Sequence, residues 1–357
     1  MNQRVVITGV GTVNAHLAGD AAALAEWLAG RPRHKPHEKA TAGARQPVGE
    51  LVDEGEARRL SRTCQLAVAA SRLALAEAER PAGDDVGLIL GTELGDLGST
   101  REFADGYLDS GLSGLSALLF PNTVMNAMAA TATIAVSARA LSLTLSGATV
   151  GGELAVAHAA AAVASGRAAA MLAGGVDQLE PYVMRTLDAL GCEPPEARGE
   201  GATVVLLEPR PAAEARGARI LGEIRGAAWR TLPARPHGVG RSTVSAAIAA
   251  ALGAAGVEPS ELGWVYTSAS GDQARDAWER ALLDTAIGAG RVPTAAPRLV
   301  FGQHAGAGAL AVAAAVWTAR TGMLPPWGDD GPLTVSGPGL VHAVARGGDH
   351  VALVIGP

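Results

Sequence analysis

Short β-branched runs alternate along the chain with longer segments whose apolar residues recur at helical spacing. The first run, Arg4–Val10, is apolar at most positions and is followed by Gly11, with Gly9 inside it, which reads as a buried strand and its end. A short helix is expected at Ala21–Ala29, then an exposed loop from Arg31 to Gly49, where Pro32, Pro36 and Pro47 interrupt a basic stretch. Glu54–Arg80 has the spacing of one long amphipathic helix. Asp85–Gly91 reads as a second strand, and a helix is expected around Arg101–Leu108 within a Gly- and Ser-rich loop. Pro121–Ser137 reads as a helix with proline in its first turn, and Leu141–Leu145 as a strand that stops at Ser146-Gly147.

The following helix, Gly151–Ala164, has almost no polar face, so it must be buried on all sides. Strands are expected at Ala168–Ala173 and Ala202–Leu207. Strand Ala218–Gly226, helix Thr243–Ala255 and strand Leu262–Thr267 then repeat the alternation. Asp272–Leu283 is a helix with Asp276, Glu279 and Arg280 outward, and Leu299 to Gly302 is strand-like. A second all-apolar helix, Gly308–Ala319, precedes closing strands at Val335 and Val351–Ile355. Each half thus holds one Ala/Val helix entered through a Gly-rich turn, Ser146–Gly152 or Gly302–Gly308. That suggests an internal duplication, with halves at 1–209 and 217–357 in one compact unit and a linker at Arg210–Arg216. Strands alternating with helices throughout make the class α/β, with a parallel or mixed sheet.

Composition narrows the picture. Of 357 residues, 48% are hydrophobic and 18% charged, the balance of a globular chain rather than a disordered one. Aromatics are 3% against 46 glycines, so the core is built from small side chains that let elements approach closely. A net charge of −6 offers no basic patch for phosphates, and no nucleic-acid partner is expected. Two cysteines, Cys64 and Cys192, make neither a disulfide framework nor a zinc site and fit a reducing cytoplasm. The opening MNQRVVITGVG reads as strand and turn, not a signal peptide. The Ala-rich stretches are broken by His158, Ser165, Arg167 or Arg320, so neither a transmembrane helix nor a membrane partner is expected. There is no phosphate loop, no complete G-x-G-x-x-G and no G-x-S-x-G elbow, and the eight histidines are scattered. No cofactor or metal is expected.

One turn carries a chemical signal. The strand LSLTL, the turn SGA and the helix beginning VGGELAV place Thr149 at a helix N-terminus. Two readings stand: Ser146 or Thr149 caps the helix, or the free N–H groups there form an oxyanion hole.

At this turn the chain resembles the β-ketoacyl synthases of the thiolase fold, the condensing enzymes of fatty-acid and polyketide assembly. The resemblance runs through RVVITGVGTV, LFPNTVMNAMAATATIAVSARALSLTLSGAT, ASGRAAAMLAGGVDQLEP, GEGATVVLLEPRPAAEARGARILGEIRG and HAGAGALAVAAAVWTARTGMLPP, in the family's order. It implies duplicated αβαβα layers with two pseudo-symmetric halves. The family's nucleophile is a cysteine in a turn of the type TACASG, and Thr149 stands at that position. Ser268 stands where the family has its first histidine, Arg298 at its lysine and Gln303 at its second histidine, with His304 one position away. Arg346-Gly347-Gly348-Asp349-His350 replaces the family's C-terminal Gly-Phe-Gly-Gly gate.

Condensation needs a thiolate, which is both a good nucleophile near neutral pH and a good leaving group. Thr149 would need a base, and Ser268 and Gln303 neither carry charge nor take a proton. The chain therefore resembles the chain length factors of type II polyketide systems, which lack the triad and pair with an active ketosynthase. The resemblance implies a heterodimer with such a ketosynthase, access to acyl carrier protein through it, and a shared acyl tunnel. Chain length factors often carry Gln at the cysteine position, where this chain has Thr149. LLFPNTVMN is similar to small systems that make polyene chains. Tunnel or interface candidates on the expected helix Asn122–Val136 and the next strand are Met125, Met128, Thr131, Thr133 and Leu143, with core packing the alternative for the methionines. The family dimer pairs the strand Leu141–Leu145 edge to edge. Two other functions remain open: an acyltransferase using Thr149 with His304 as base, and a homodimeric scaffold or acyl-carrier-binding protein. The basic stretch Arg31–Lys39 either meets an acidic carrier or is simply solvated.

Overall fold

The computed structural model describes residues 3–30, 48–49, 51–190, 196–235, 238–325 and 331–357. Cys192 and the Arg31–Lys39 stretch lie outside them. Among the described residues, the main sheet runs through ten strands in line, with the two-residue Ala18–Gly19 paired to the side of the first: β1 (Val5–Asn14), β2 (Val86–Thr92), β3 (Ser142–Ser146), β4 (Ala170–Asp177), β5 (Gly201–Pro209), β6 (Gly222–Thr231), β7 (Trp264–Tyr266), β8 (Thr294–Ala295), β9 (Gly339–Val344) and β10 (Asp349–Gly356). The first half is ordered β3-β2-β4-β5-β1 and the second β8-β7-β9-β10-β6. Counted within each half, both read 3-2-4-5-1. Directions match as well: β2 is parallel to β3 and β4, as β7 is to β8 and β9, and the remaining neighbours within each half are antiparallel. The two halves join where β1 pairs with β6 over Val5–Ile7.

The helices that matter below are α1 (Ala21–Ala29), α2 (Arg62–Glu77), α3 (Leu97–Ser110), α4 (Ala127–Val136), α5 (Gly151–Ala164), α6 (Pro181–Ala189), α7 (Ala246–Ala255), α8 (Gln273–Ile287) and α9 (Ala305–Thr321). α5 and α9 pack on each other and on strands of both halves, forming a central layer buried nearly all round. α2 and α4 cover the outer face of the first half, and α7 that of the second, giving the αβαβα layering.

Several elements differ from the sequence expectation. β1 runs on through Gly9 and Gly11, because these glycines admit α2: a Cβ would stand 2.1 Å from Ala74 O or 2.0 Å from Ala70 O. The expected helix Glu54–Arg80 is two, Glu54–Ala57 and α2, because Ser61 accepts a hydrogen bond from Cys64 N and starts a new helix. Pro121–Ser137 is helical only from Ala127, after a 3-10 turn at Phe120–Thr123. Leu299 to Gly302 is not a strand but part of the short helix Arg298–Phe301, ended by Gly302 at φ 75°. The linker Arg210–Arg216 is mostly helical, over Arg210–Ala215. β6 lies several residues beyond the expected Ala218–Gly226, and β9 was not expected at all. Among the described residues no helix is long and apolar enough to cross a membrane.

Candidate functional site

The site lies where the turn after β3 meets the start of α9 and the loop after β7. Ala148 adopts φ 39°, a left-handed conformation uncommon for a residue with a side chain, and the 3-10 turn Ala148–Val150 leads into α5. Neither capping reading holds: the cap position is Val150, and no side chain caps α5. Thr149 is buried instead, its hydroxyl donating to Val344 O over a long 3.5 Å.

The other substituted positions are equally enclosed. Gln303 Nε2 donates to Thr149 O at 3.4 Å, and Gln303 Oε1 accepts from Arg298 Nη1 at 3.2 Å. Arg298 also pairs with Glu153, which projects from α5, and both are fully buried. Burial pushes the Glu153 carboxyl above its ordinary range, against the pull of Arg298. Ser268 Oγ donates to Glu279 Oε2 at 2.9 Å and accepts from Val344 N at 3.1 Å. His342 Nδ1 lies 3.0 Å from Glu279 Oε1. Burial would raise the Glu279 pKa, but His342, the Ser268 N–H and the charge of Arg275 together more than reverse that and leave it below the ordinary value. One hydrogen-bonded path thus runs from Thr149 through Val344 and Ser268 to Glu279 and His342. A second runs from Thr149 through Gln303 and Arg298 to Glu153.

His304 does not enter the site by a slipped register. It is the N-cap of α9, and its Nδ1 accepts from Ala307 N at 3.2 Å. Burial, reinforced by Arg298, pushes its pKa down to about 3, so the ring is neutral. Asp177, at the end of β4, accepts from Thr92 Oγ1 at 2.6 Å and Ala305 N at 2.7 Å and ties β2 to the same helix start.

Sequence reasoning missed Glu153, Asp177, Glu279 and His342. Glu279 was expected outward on α8 but is buried. Glu153 did carry a signal, as the one acid in an otherwise apolar helix. Of the tunnel candidates, Met125 and Leu143 are exposed, while Thr131 and Thr133 are half-buried. Met128 is the correction: it is fully buried in the core with Cys64 and Ala132, so for it the packing alternative holds. Thr131 Oγ1 faces the Cys64 thiol at 3.7 Å, and Thr133 Oγ1 donates to Ala130 O in its own helix. β3 is the edge of its sheet half.

The "Beta-ketoacyl synthase, N-terminal domain" family model matches residues 2–213, and the corresponding C-terminal domain matches 221–328. The chain belongs to the β-ketoacyl synthase family. Among its relatives, a putative polyketide β-ketoacyl synthase 2 of Streptomyces virginiae is 38% identical over 159 residues, 43% of this chain and 38% of that protein. The 3-oxoacyl-[acyl-carrier-protein] synthase 2 of Synechocystis is 28% identical, over 67% of this chain and 64% of that protein. The chain therefore spans less than two thirds of either relative. An oxytetracycline polyketide putative β-ketoacyl synthase 1 of Streptomyces rimosus is 29% identical over 91% of this chain and 86% of that one. Among solved structures, the ishigamide ketosynthase/chain length factor superposes with TM-score 0.82 at 21% identity, covering 100% of this chain and 99% of that one. At those identities the structural likeness establishes the thiolase-like fold of this synthase-family chain.

Proposed function

We propose that this chain is a non-condensing ketosynthase-like subunit of the chain length factor type. It pairs with an active ketosynthase in type II polyketide or polyene biosynthesis and shapes the acyl chain tunnel. The observation that carries this reading is the engagement of all three substituted positions by neighbouring protein atoms: Thr149 by Val344 and Gln303, Ser268 by Glu279, and Gln303 by Arg298. Thr149 has no hydrogen bond to a histidine or carboxylate among the described residues, so nothing there removes its proton. The neutral His304 ring spends its accepting nitrogen on α9. With neither imidazole present, the two histidine positions offer no proton-transferring group for decarboxylation, and the donors of Ser268 and Gln303 are directed at Glu279 and Thr149 O instead. Acyl carrier protein reaches the chain through the complex. The edge strand β3, with Leu143 exposed upon it, fits the edge-to-edge pairing of the family dimer.

Intact-mass measurement after incubation with acyl- and malonyl-carrier protein tests the chemistry. The expected result is an unmodified chain. An acyl adduct that disappears in Thr149→Ala would replace this reading with that of an acyltransferase.

A further inference from the structure

α1 and α9 pack side by side, and a cleft between them opens toward the end of α9. At one end Trp27 braces α1 on Phe301, just before α9 starts, with ring centroids 4.7 Å apart. At the other, α1 contributes Ala21, Ala22 and Ala25 beside the last turns of α9, and these short side chains leave a cavity of about 220 Å³. Val10 and Leu221, both buried, form its floor, and the half-buried Trp317 lines it from α9. The cavity begins at Ala313, about 12 Å along α9 from the helix start at the candidate site, so it is a separate place in the fold.

Its rim is cationic. Arg219 and Arg320 both line the cleft, both are exposed, and neither makes a hydrogen bond or an ion pair among the described residues. The carboxylates at this end of α1 are engaged by backbone. Glu77 accepts from Val10 N at 2.8 Å and Ala21 N at 3.2 Å, and Asp20 caps α1 through Ala22 N and Ala23 N. Burial holds the Glu77 carboxyl above its ordinary range, and Arg219 acts on it through charge alone. Two guanidiniums thus border an apolar hollow without a bonded anion.

We propose that this cleft binds a small amphiphilic carboxylate, its apolar chain on Val10, Leu221 and Trp317 and its head group on Arg219 and Arg320. Such a ligand matches both parts of the lining. Burying the chain removes apolar area from water, and guanidinium N–H groups pair with carboxylate oxygens. A neutral head group would leave both cations unused, and an amine would meet them as like charges. Drug-sized sites run from about 300 to 1,000 Å³, so this smaller cavity limits the chain to a short one. The cleft serves this role whether or not the chain pairs with a ketosynthase.

Octanoate titrated into the full chain by calorimetry tests the site, with octanol and octylamine probing the head group. Octanoate is expected to bind one-to-one with a Kd on the order of 100 μM. Arg219→Gln and Arg320→Gln, both at exposed positions, are each expected to weaken binding about five-fold or more while melting like wild type. Added salt should weaken the wild type in the same direction. Octanol is expected to bind about ten-fold more weakly, and octylamine not at all. No saturable octanoate binding by the folded wild type would overturn the site, as would undiminished binding when both arginines are replaced. Octylamine binding as tightly as octanoate would overturn the carboxylate.

Discussion

The duplicated halves share one strand order, yet their third strands end the sheet very differently. In the first half that strand, β3, runs five residues with Leu143 exposed. In the second half its counterpart, β8, is two residues long and half-covered. Among the described residues, twelve of the fifteen exposed large apolar side chains fall between Tyr107 and Leu190, and only Val244, Met323 and Leu333 lie in the second half. The architecture is the same, so the fold itself does not require an exposed apolar edge. The difference supports the proposed docking of a partner subunit on the first edge rather than the second.

The largest effect should come from attacking one edge and not the other. Ile134→Asp combined with Leu143→Asp is expected to weaken the ketosynthase complex at least 1,000-fold, roughly 4 kcal/mol. Thr294→Asp on β8, the second half's edge, should leave affinity within a factor of about two. Equal losses from both, measured by calorimetry or sizing with mass detection, would abolish the distinction between the edges.

The next effect belongs to the shared centre between the halves. Glu153→Leu leaves Arg298 charged and buried without its partner, so a loss of about 3 kcal/mol is expected in denaturant unfolding. The double variant Glu153→Leu, Arg298→Met should recover most of it. A pair on the surface would show neither response.

Acid should expose the second half's helix start. His304 is held near pKa 3 by burial and Arg298, whereas an unfolded histidine titrates near 6.5. Below 6.5 the unfolded chain takes up a proton that the folded site refuses, so stability falls as pH drops from 6.5 toward 3. At pH 5 the loss is about 2 kcal/mol. His304→Asn keeps a cap for α9 and removes that proton, so its melting temperature should fall less between pH 7 and 5. An identical pH response would show that other groups govern it.

Thr149→Ala should have the smallest effect, below about 1 kcal/mol, because it deletes only a long hydroxyl-to-carbonyl bond. It should leave product formation by the complex unchanged.

Much of this was legible from residues alone. The helix Gly151–Ala164 was read to its boundaries, because an apolar run of that length entered through glycines has few other solutions. The duplication was visible in the two Ala/Val helices, and the structure adds the identical strand order. β9 was not legible, since Gly337-Pro338-Gly339 reads as turn and hides the short strand that follows. The strand ends at Gly9 and Gly11 were misread because those glycines serve helix packing rather than a turn. At the site, Thr149, Ser268, Arg298 and Gln303 were picked out by position, and the structure links Thr149 with Ser268 through Val344 and with Arg298 through Gln303. Their partners were not: the inward orientation of Glu279 on a helix with charges on several faces depends on what packs against it, and His342 sits on β9, itself hidden in the sequence. The exposure of Leu108, Leu112 and Leu118 was equally hidden, since they have the same character as core leucines until burial is known.

The central claim is that this chain contributes a surface and not a nucleophile. Its most direct test is carbon dioxide release and condensation from malonyl-carrier protein, measured for the chain alone, for its complex with the ketosynthase, and for the complex carrying Thr149→Ala. The account predicts no turnover by the chain alone and equal product from both complexes. Turnover by the chain alone, lost in Thr149→Ala, would contradict it.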